Sequence, residues 1–393
     1  MKFRKFLRTV PMKLYIIFAA IVIFAFFSND FGLVDIQKTA IILAAGIDKT
    51  ENGVLMTVQI AVPKGSDRTT GGTSSVEIDA EGKTVSECVA GIYSETGWVP
   101  KFVFCDLILI GEEAAKEDVI SYLNYFLRSE YQPDSCLLAV CKGTAKDILT
   151  SQSAIDDASS LAIEKLFSDA AQKSGRVMVN TLKDFTIGYF GVSKSGYLPY
   201  LRSHSEDGGQ SAGGGGKSSG GGEEDKEQKV YTAHETALFY EGRMVGLLPP
   251  EQTQAFCMLQ GKVFAGTFNA KEKGDPITLT VIKNSGGVSL DMKEGPKAKL
   301  SVELLVRLCC RSTGAGIEDI SSDVANPETL ESAAATIEEF LKKLWEITQE
   351  SGCDLFYLKR TLYRSSLKKY AAWKDSLLSS VQPDFKVKVI SMK

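Results

Sequence analysis

The stretch Gly46-Ile47-Asp48-Lys49-Thr50-Glu51-Asn52-Gly53-Val54-Leu55-Met56-Thr57-Val58-Gln59-Ile60-Ala61-Val62 decides how the chain is read. Val54, Met56, Val58, Ile60 and Val62 alternate onto one face, which is the period of a half-buried strand. Upstream, residues 36–47 are rich in Ile, Leu and Ala. Between the two runs, Asn52-Gly53 supplies the backbone freedom of a tight turn. Residues 36–62 therefore predict a β-hairpin.

Outward from the hairpin, strand and helix signals alternate. Residues 64–75 form a polar loop, and Val76–Ala80 reads as a short strand. Thr84-Val85-Ser86-Glu87 is a capping box opening a helix to about Ser94. Phe102–Ile110 reads as a buried strand ended by Gly111, and residues 112–128 as one amphipathic helix with Ala115, Val119, Tyr122, Leu123 and Phe126 inward. Ser135–Val140 predicts a strand, Thr144 caps a helix to Leu149, and residues 161–171 form a further helix closed by Ser174-Gly175. This alternation implies mixed sheets covered by helices, an α+β class.

Arg202 to Lys229 breaks the pattern with nine glycines and no aliphatic residue larger than Ala. Such a segment cannot bury enough apolar surface to offset its ordering entropy, so a flexible linker is expected at 202–230. Its Gly216-Lys217-Ser218-Ser219 string lacks the flanking strand and helix of a phosphate loop. Beyond it, Tyr231–Tyr240 and Met244–Leu248 read as strands and Glu251–Leu259 as a helix. Ile277–Val281, Val288–Asp291 and Lys299–Leu308 are further strands. Asn326-Pro327-Glu328 starts the most regular amphipathic helix, which stops at Ser351-Gly352. Phe385–Ile390 closes as an alternating strand. The expected organisation is a 1–30 basic tail and anchor, a 31–201 N-terminal region of two α/β subdomains, the linker, and a 231–393 C-terminal α+β domain.

At the N-terminus, Lys2, Arg4, Lys5, Arg8 and Lys13 precede the uncharged run Leu14–Phe27, and no cation follows until Lys38. That asymmetry predicts a cytoplasmic N-terminus and an extracytoplasmic remainder. The run covers roughly 21 Å against a hydrocarbon core of roughly 30 Å. Phe26-Phe27 stand where a cleaved signal needs small residues, so an uncleaved single-pass anchor is expected. No second long apolar run follows, so one ectodomain is expected after residue 30.

Of 393 residues, 45 are Lys or Arg and 49 Asp or Glu, a formal net charge of −4 with no basic stripe expected after residue 30. This argues against nucleic-acid binding. Only His204 and His234 are present. The eight cysteines lie mostly in apolar runs and read as buried small hydrophobes. Cys136 and Cys141 are five apart, as opposite faces of a strand require, and Cys309 and Cys310 are adjacent. No CxxC occurs, so no metal site is expected. Carboxylate pairs at Glu112-Glu113, Asp156-Asp157, Glu223-Glu224-Asp225 and Glu338-Glu339 read as solvated surface. His234 reads as a structural residue, and Trp98, Trp345 and Trp373 as core packing. No nucleophile motif appears, so no enzyme, cofactor or catalytic residue is expected.

Six blocks fall in an order that resembles the Ger(x)C family of spore-germination receptor C subunits. They are Gly46–Ile60, Gly111–Ala115, Leu127–Tyr131, Lys142–Leu149 with Gly196-Tyr197-Leu198-Pro199, Ala237–Leu248, and Cys353-Asp354 with Trp373 and the closing strand. The resemblance covers about 36–393. It implies a non-catalytic extracytoplasmic subunit of a germinant receptor in the spore inner membrane. Its partners would be the other membrane subunits and membrane lipid, with a small-molecule germinant reached through the complex. The family is usually lipidated, and no Cys follows the apolar run here, so the helix alone would anchor the chain. The competing reading is a membrane-tethered ligand-binding or adhesion module unrelated to germination; an extracytoplasmic hydrolase ranks third.

Overall fold

The computed structural model describes residues 12–27, 39–62, 74–129, 131–156, 158–205, 228–272, 275–311 and 324–392. The chain divides into two units, Met1–Thr39 and Ala40–Lys393.

In the first unit, helix α1 spans Met12–Phe27. Its sixteen residues rise roughly 24 Å, short of a roughly 30 Å hydrocarbon core. Among the described residues no helix is long and apolar enough to cross a membrane. Helix length thus does not support the expected single-pass anchor.

The second unit opens with the hairpin: β1 (Thr39–Lys49) and β2 (Val54–Val62) pair antiparallel, with Ala45 opposite Val58 and Lys49 opposite Val54. Strand β3 (Ser74–Gly82) continues the meander. Thr84 then caps α2 (Val85–Thr96), its hydroxyl accepting from the Glu87 amide at 3.2 Å. Where one long strand was expected, the structure has β4 (Val99–Lys101), a 3₁₀ turn at Phe102–Phe104, and β5 (Leu107–Gly111). The turn drops Phe102 into the core and leaves Val103 and Phe104 exposed, which an extended strand could not do.

The single helix expected at 112–128 is likewise two, α3 (Glu112–Ala115) and α4 (Val119–Arg128). Asp118 divides them because its side chain accepts the Ile120 amide at 3.1 Å and starts the second. Then come β6 (Leu137–Cys141), α5 (Ala145–Leu149), β7 (Gln152–Ser153), α6 (Ser159–Leu166), α7 (Asp169–Lys173), β8 (Asn180–Thr181), α8 (Leu182–Phe190) and β9 (Ser195–Ser205). Ser168 caps α7 and so splits the expected 161–171 helix.

Strand β10 (Gln228–Tyr240) pairs antiparallel with β9 along most of its length, and β11 (Arg243–Leu248) returns beside it. Most of the expected 202–230 linker, including the Gly216–Ser219 string, lies outside the described residues. The strands on its two sides are hydrogen-bonded neighbours, so the sheet runs across this point in the sequence. Its order is β11-β10-β9-β6-β5-β1-β2-β3, with β9, β6, β5 and β1 mutually parallel at the centre. Helices α2, α4 and α8 cover a core on one face, and α5 and α6 one on the other.

Helix α9 (Pro250–Leu259) leads to a second sheet of four strands, β12 (Thr267–Glu272), β13 (Asp275–Asp291), β14 (Lys297–Arg311) and, parallel to β14, β15 (Gln382–Ser391). Ile277–Val281 and Val288–Asp291, read as separate strands, are one bulged strand here. Helix α10 (Pro327–Ser351) covers this sheet; Asn326 accepts the Thr329 amide at 2.8 Å and Gly352 ends it left-handed. Ala333, Ile337, Leu341, Leu344 and Trp345 form its buried stripe. Short helices α11 (Leu358–Ser365), α12 (Leu367–Trp373) and α13 (Leu377–Ser380) lead into β15. Leu238 faces this third core while its neighbours Ala237 and Phe239 face the first, so β10 is shared by both layers.

Candidate functional site

Two concavities lie next to the places where the layers meet. The smaller, about 300 Å³, has walls from Arg176 after α7, His234 on β10, Glu251 and Gln254 on α9, Asn269 on β12 and Phe340 on α10. Burial, and then the Arg176 charge, pull His234 below its ordinary value, so it is neutral at pH 7. Gln254 Nε2 is committed to the Thr267 carbonyl at 3.0 Å, leaving its oxygen for the cavity. The walls thus offer a cation, an anion, a neutral imidazole and an aromatic edge, a set that suits a small polar molecule.

The larger concavity, about 520 Å³, is walled by Asp118, Tyr189, Phe190, Lys194, Glu241 and Arg243. Lys194 and Glu241 both sit at φ 48°, a left-handed conformation costly for residues with a side chain. They hold each other there: the Glu241 amide donates to the Lys194 carbonyl at 2.8 Å, and Lys194 Nζ reaches Glu241 Oε1 at 2.8 Å. Each shifts the other in the usual sense of an ion pair, Lys194 up and Glu241 down. Beside them, Phe190 is 72% exposed and Ile187, one turn earlier on α8, is 47% exposed.

Asp354 ties this corner to the second layer. The buried carboxylate accepts from the Ser193 hydroxyl at 2.6 Å and from the Leu358 and Lys359 amides at 2.7 and 2.9 Å, capping α11. Its own amide donates to Ser195 Oγ at 2.9 Å. Burial outweighs these donors and holds its pKa above the ordinary carboxylate value. Asp48 caps α5 in the same way, accepting the Ala145 and Lys146 amides at 2.7 and 2.9 Å. Both acids hold helices in place.

The other singled-out residues do not converge. Glu338 and Glu339 pair with Lys342 and Lys343 at 2.7 and 2.9 Å, Glu113 with Lys116 at 2.5 Å, and Asp156 with Lys165 at 2.6 Å. Asp157 and residues 223–225 lie outside the described residues. Cys136 and Cys141 pack into different cores, as their spacing implied, whereas Cys309 and Cys310 are exposed rather than buried. Trp345 stacks on Phe356 at 5.6 Å and Trp373 packs against the third core, while Trp98 is exposed. Among the described residues no three His, Cys, Asp or Glu side chains group to hold a metal.

One expectation fails on the sequence's own terms. Residues 359–374 carry Lys359, Arg360, Arg364, Lys368, Lys369 and Lys374 with no acid among them, so a basic stripe does follow residue 30. The signal was visible as six cations in sixteen residues. An overall net charge of −4 concealed it.

The comparisons agree with this architecture. A model described as the spore germination protein N-terminal domain matches residues 33–203, and one described as spore germination B3/GerAC-like, C-terminal, matches 234–391. Spore germination protein B3 of Bacillus subtilis (strain 168) is 24% identical over 279 residues, spanning 68% of this chain and 67% of that protein. A solved structure described as the crystal structure of the GerBC protein superposes with a TM-score of 0.50 at 16% identity, covering 89% of this chain and 97% of its own. At that identity the superposition speaks for the fold alone. With both halves matched in order, the chain belongs to the Ger(x)C family of spore germination proteins.

Proposed function

We propose that this chain is a non-catalytic, extracytoplasmic subunit of a spore germinant receptor that works by binding and assembly in nutrient-triggered germination. The observation that carries the reading is the ordered match of both family domains over 33–203 and 234–391. The inventory of side chains supports it: the buried acids cap helices and the surface acids pair with lysines. Catalysis needs a nucleophile or base aimed at a shared point, whereas the two concavities offer binding surface.

The chain resides at the spore inner membrane, its N-terminal helix inserted with the basic residues 2–13 on the cytoplasmic side. Sixteen helical residues are shorter than the hydrocarbon core, and a helix shorter than the core is accommodated by local thinning of the bilayer. The partners are the other membrane subunits of the receptor and membrane lipid. A small polar germinant, reached through the complex, fits the cavity walled by Arg176, His234 and Glu251.

The test is deletion together with affinity capture. Spores lacking the chain should lose the response to at least one germinant in a panel of amino acids and sugars, and the tagged chain should bring down multi-span membrane proteins in mild detergent. A null mutant that germinates normally with every germinant, and a tagged chain that purifies alone, would overturn the reading in favour of an unrelated tethered module.

A further inference from the structure

The six cations of residues 359–374 lie on α11, α12 and the residue after α12. Five are exposed and Lys359 is half-buried. Among the described residues none of the six enters an ion pair, in contrast to Lys342 and Lys343 on α10, which both do. Lys359 stands in the field of the Asp354 and Glu241 carboxylates. The other five are exposed cations within fifteen residues of chain, without an ion pair among the described residues, and like charges so placed repel one another. The helices are nonetheless pinned: Leu358 and Leu362 are buried, Tyr363 and Tyr370 meet edge-on at 5.2 Å, and Asp354 and Ser366 cap the two helices.

Apolar groups stand among these charges. Leu367, at the start of α12, is 64% exposed, and Tyr363 is 43% exposed. Cations sharing two short helices with an exposed Leu and Tyr are the composition of a segment lying in the headgroup layer, aromatic and aliphatic tips dipping in while Lys and Arg meet phosphates. Four of the six are lysines, which protein–protein interfaces deplete and which lipid phosphates accept as point charges. We propose that α11 and α12 form a docking face for an anionic phospholipid surface, with Leu367 and Tyr363 as its apolar contacts. The choice of lipid among polyanions rests on the membrane reading above; the charge and exposure do not.

The test uses the full chain mixed with vesicles of phosphatidylcholine alone or of phosphatidylcholine and phosphatidylglycerol in equal parts, read by flotation and by lysine acetylation footprinting. Lys368, Lys369 and Lys374 should be protected several-fold on the anionic vesicles only, with Lys342 unchanged, and high salt should remove the protection. Leu367→Glu should weaken it without moving the melting temperature, since that side chain is mostly in water. Co-flotation with both vesicles and equal labelling would overturn the docking face and leave the membrane reading standing. Failure to float with either would overturn both. Protection by soluble polyglutamate but not by phosphatidylglycerol would overturn the lipid assignment in favour of an acidic protein.

Discussion

Ser193 donates a 2.6 Å hydrogen bond to the carboxylate of Asp354, joining residues 161 apart in sequence and fastening the loop before β9 to the start of α11. Three donors converge on that carboxylate with almost no solvent nearby. Asp354→Leu strands all of them, and each orphaned buried donor costs about 1–3 kcal/mol, so a loss of about 3 kcal/mol or more is expected. Asp354→Asn keeps one acceptor and should lose less. Urea unfolding of the two variants would decide the matter: equal, small losses would show that the carboxylate organises nothing.

Glu164 gives a pH signature. Burial, with the Asp106 charge adding to it, pushes its pKa up to about 7. The folded state therefore holds the proton more tightly than the unfolded chain does. The stabilisation is fully present below the ordinary value of 4.5 and is lost as pH rises through about 7. Glu164→Gln should leave the melting temperature nearly unchanged at low pH and raise it relative to the parent above neutrality. A difference between variant and parent that does not change from pH 5 to pH 8 would count against this environment for Glu164.

Gly242 and Gly97 separate two costs of adding one carbon. Both are left-handed, at φ 79° and 69°. A Cβ at Gly97 meets nothing within 4 Å, whereas at Gly242 it runs into the Asp118 carboxylate that caps α4. Gly97→Ala should cost about 1 kcal/mol from backbone conformation alone. Gly242→Ala should cost about 2 kcal/mol, the same backbone term with the damaged cap added. Thermal melts of the pair would test the comparison, and equal losses would mean that Asp118 simply moves aside.

Local signals were legible wherever one residue's chemistry sets the local backbone. The Thr84 and Thr144 caps, the Asn326-Pro327 start and the β1–β2 hairpin all stand where the sequence placed them. The failures share a cause. Phe102–Phe104 reads as strand because its residues are apolar, yet the turn there is set by which rings reach the core beside Phe126 and Tyr125. Helix α8 was missed because Leu182 and Phe185 show their burial only against Phe239, far along the chain. The cavities were illegible for the same reason: Arg176, His234, Asn269 and Phe340 meet only after β10 joins both layers. The basic helices needed no structure to be found; a local rather than whole-chain charge count reveals them.

The segment between β9 and β10 invites the most drastic change. Ser205 and Lys229 are register partners, so the two strands already bring its ends together. Residues 206–227 include nine glycines and no aliphatic side chain larger than Ala, leaving little apolar surface to bury. Replacing them with a four-residue Asn-Gly turn shortens the loop to be closed. The loop-entropy cost grows only logarithmically with length, so the change should stabilise the chain by about 1 kcal/mol and no more than about 2. Register would be kept, because Tyr231 and Ala233 face the core beneath α5 and α6 and a one-residue slip would turn both outward. The shortened chain should melt at or slightly above the parent temperature with an unchanged circular dichroism spectrum. A marked fall in melting temperature would show that 206–227 contributes packed structure, and that the hairpin register depends on it.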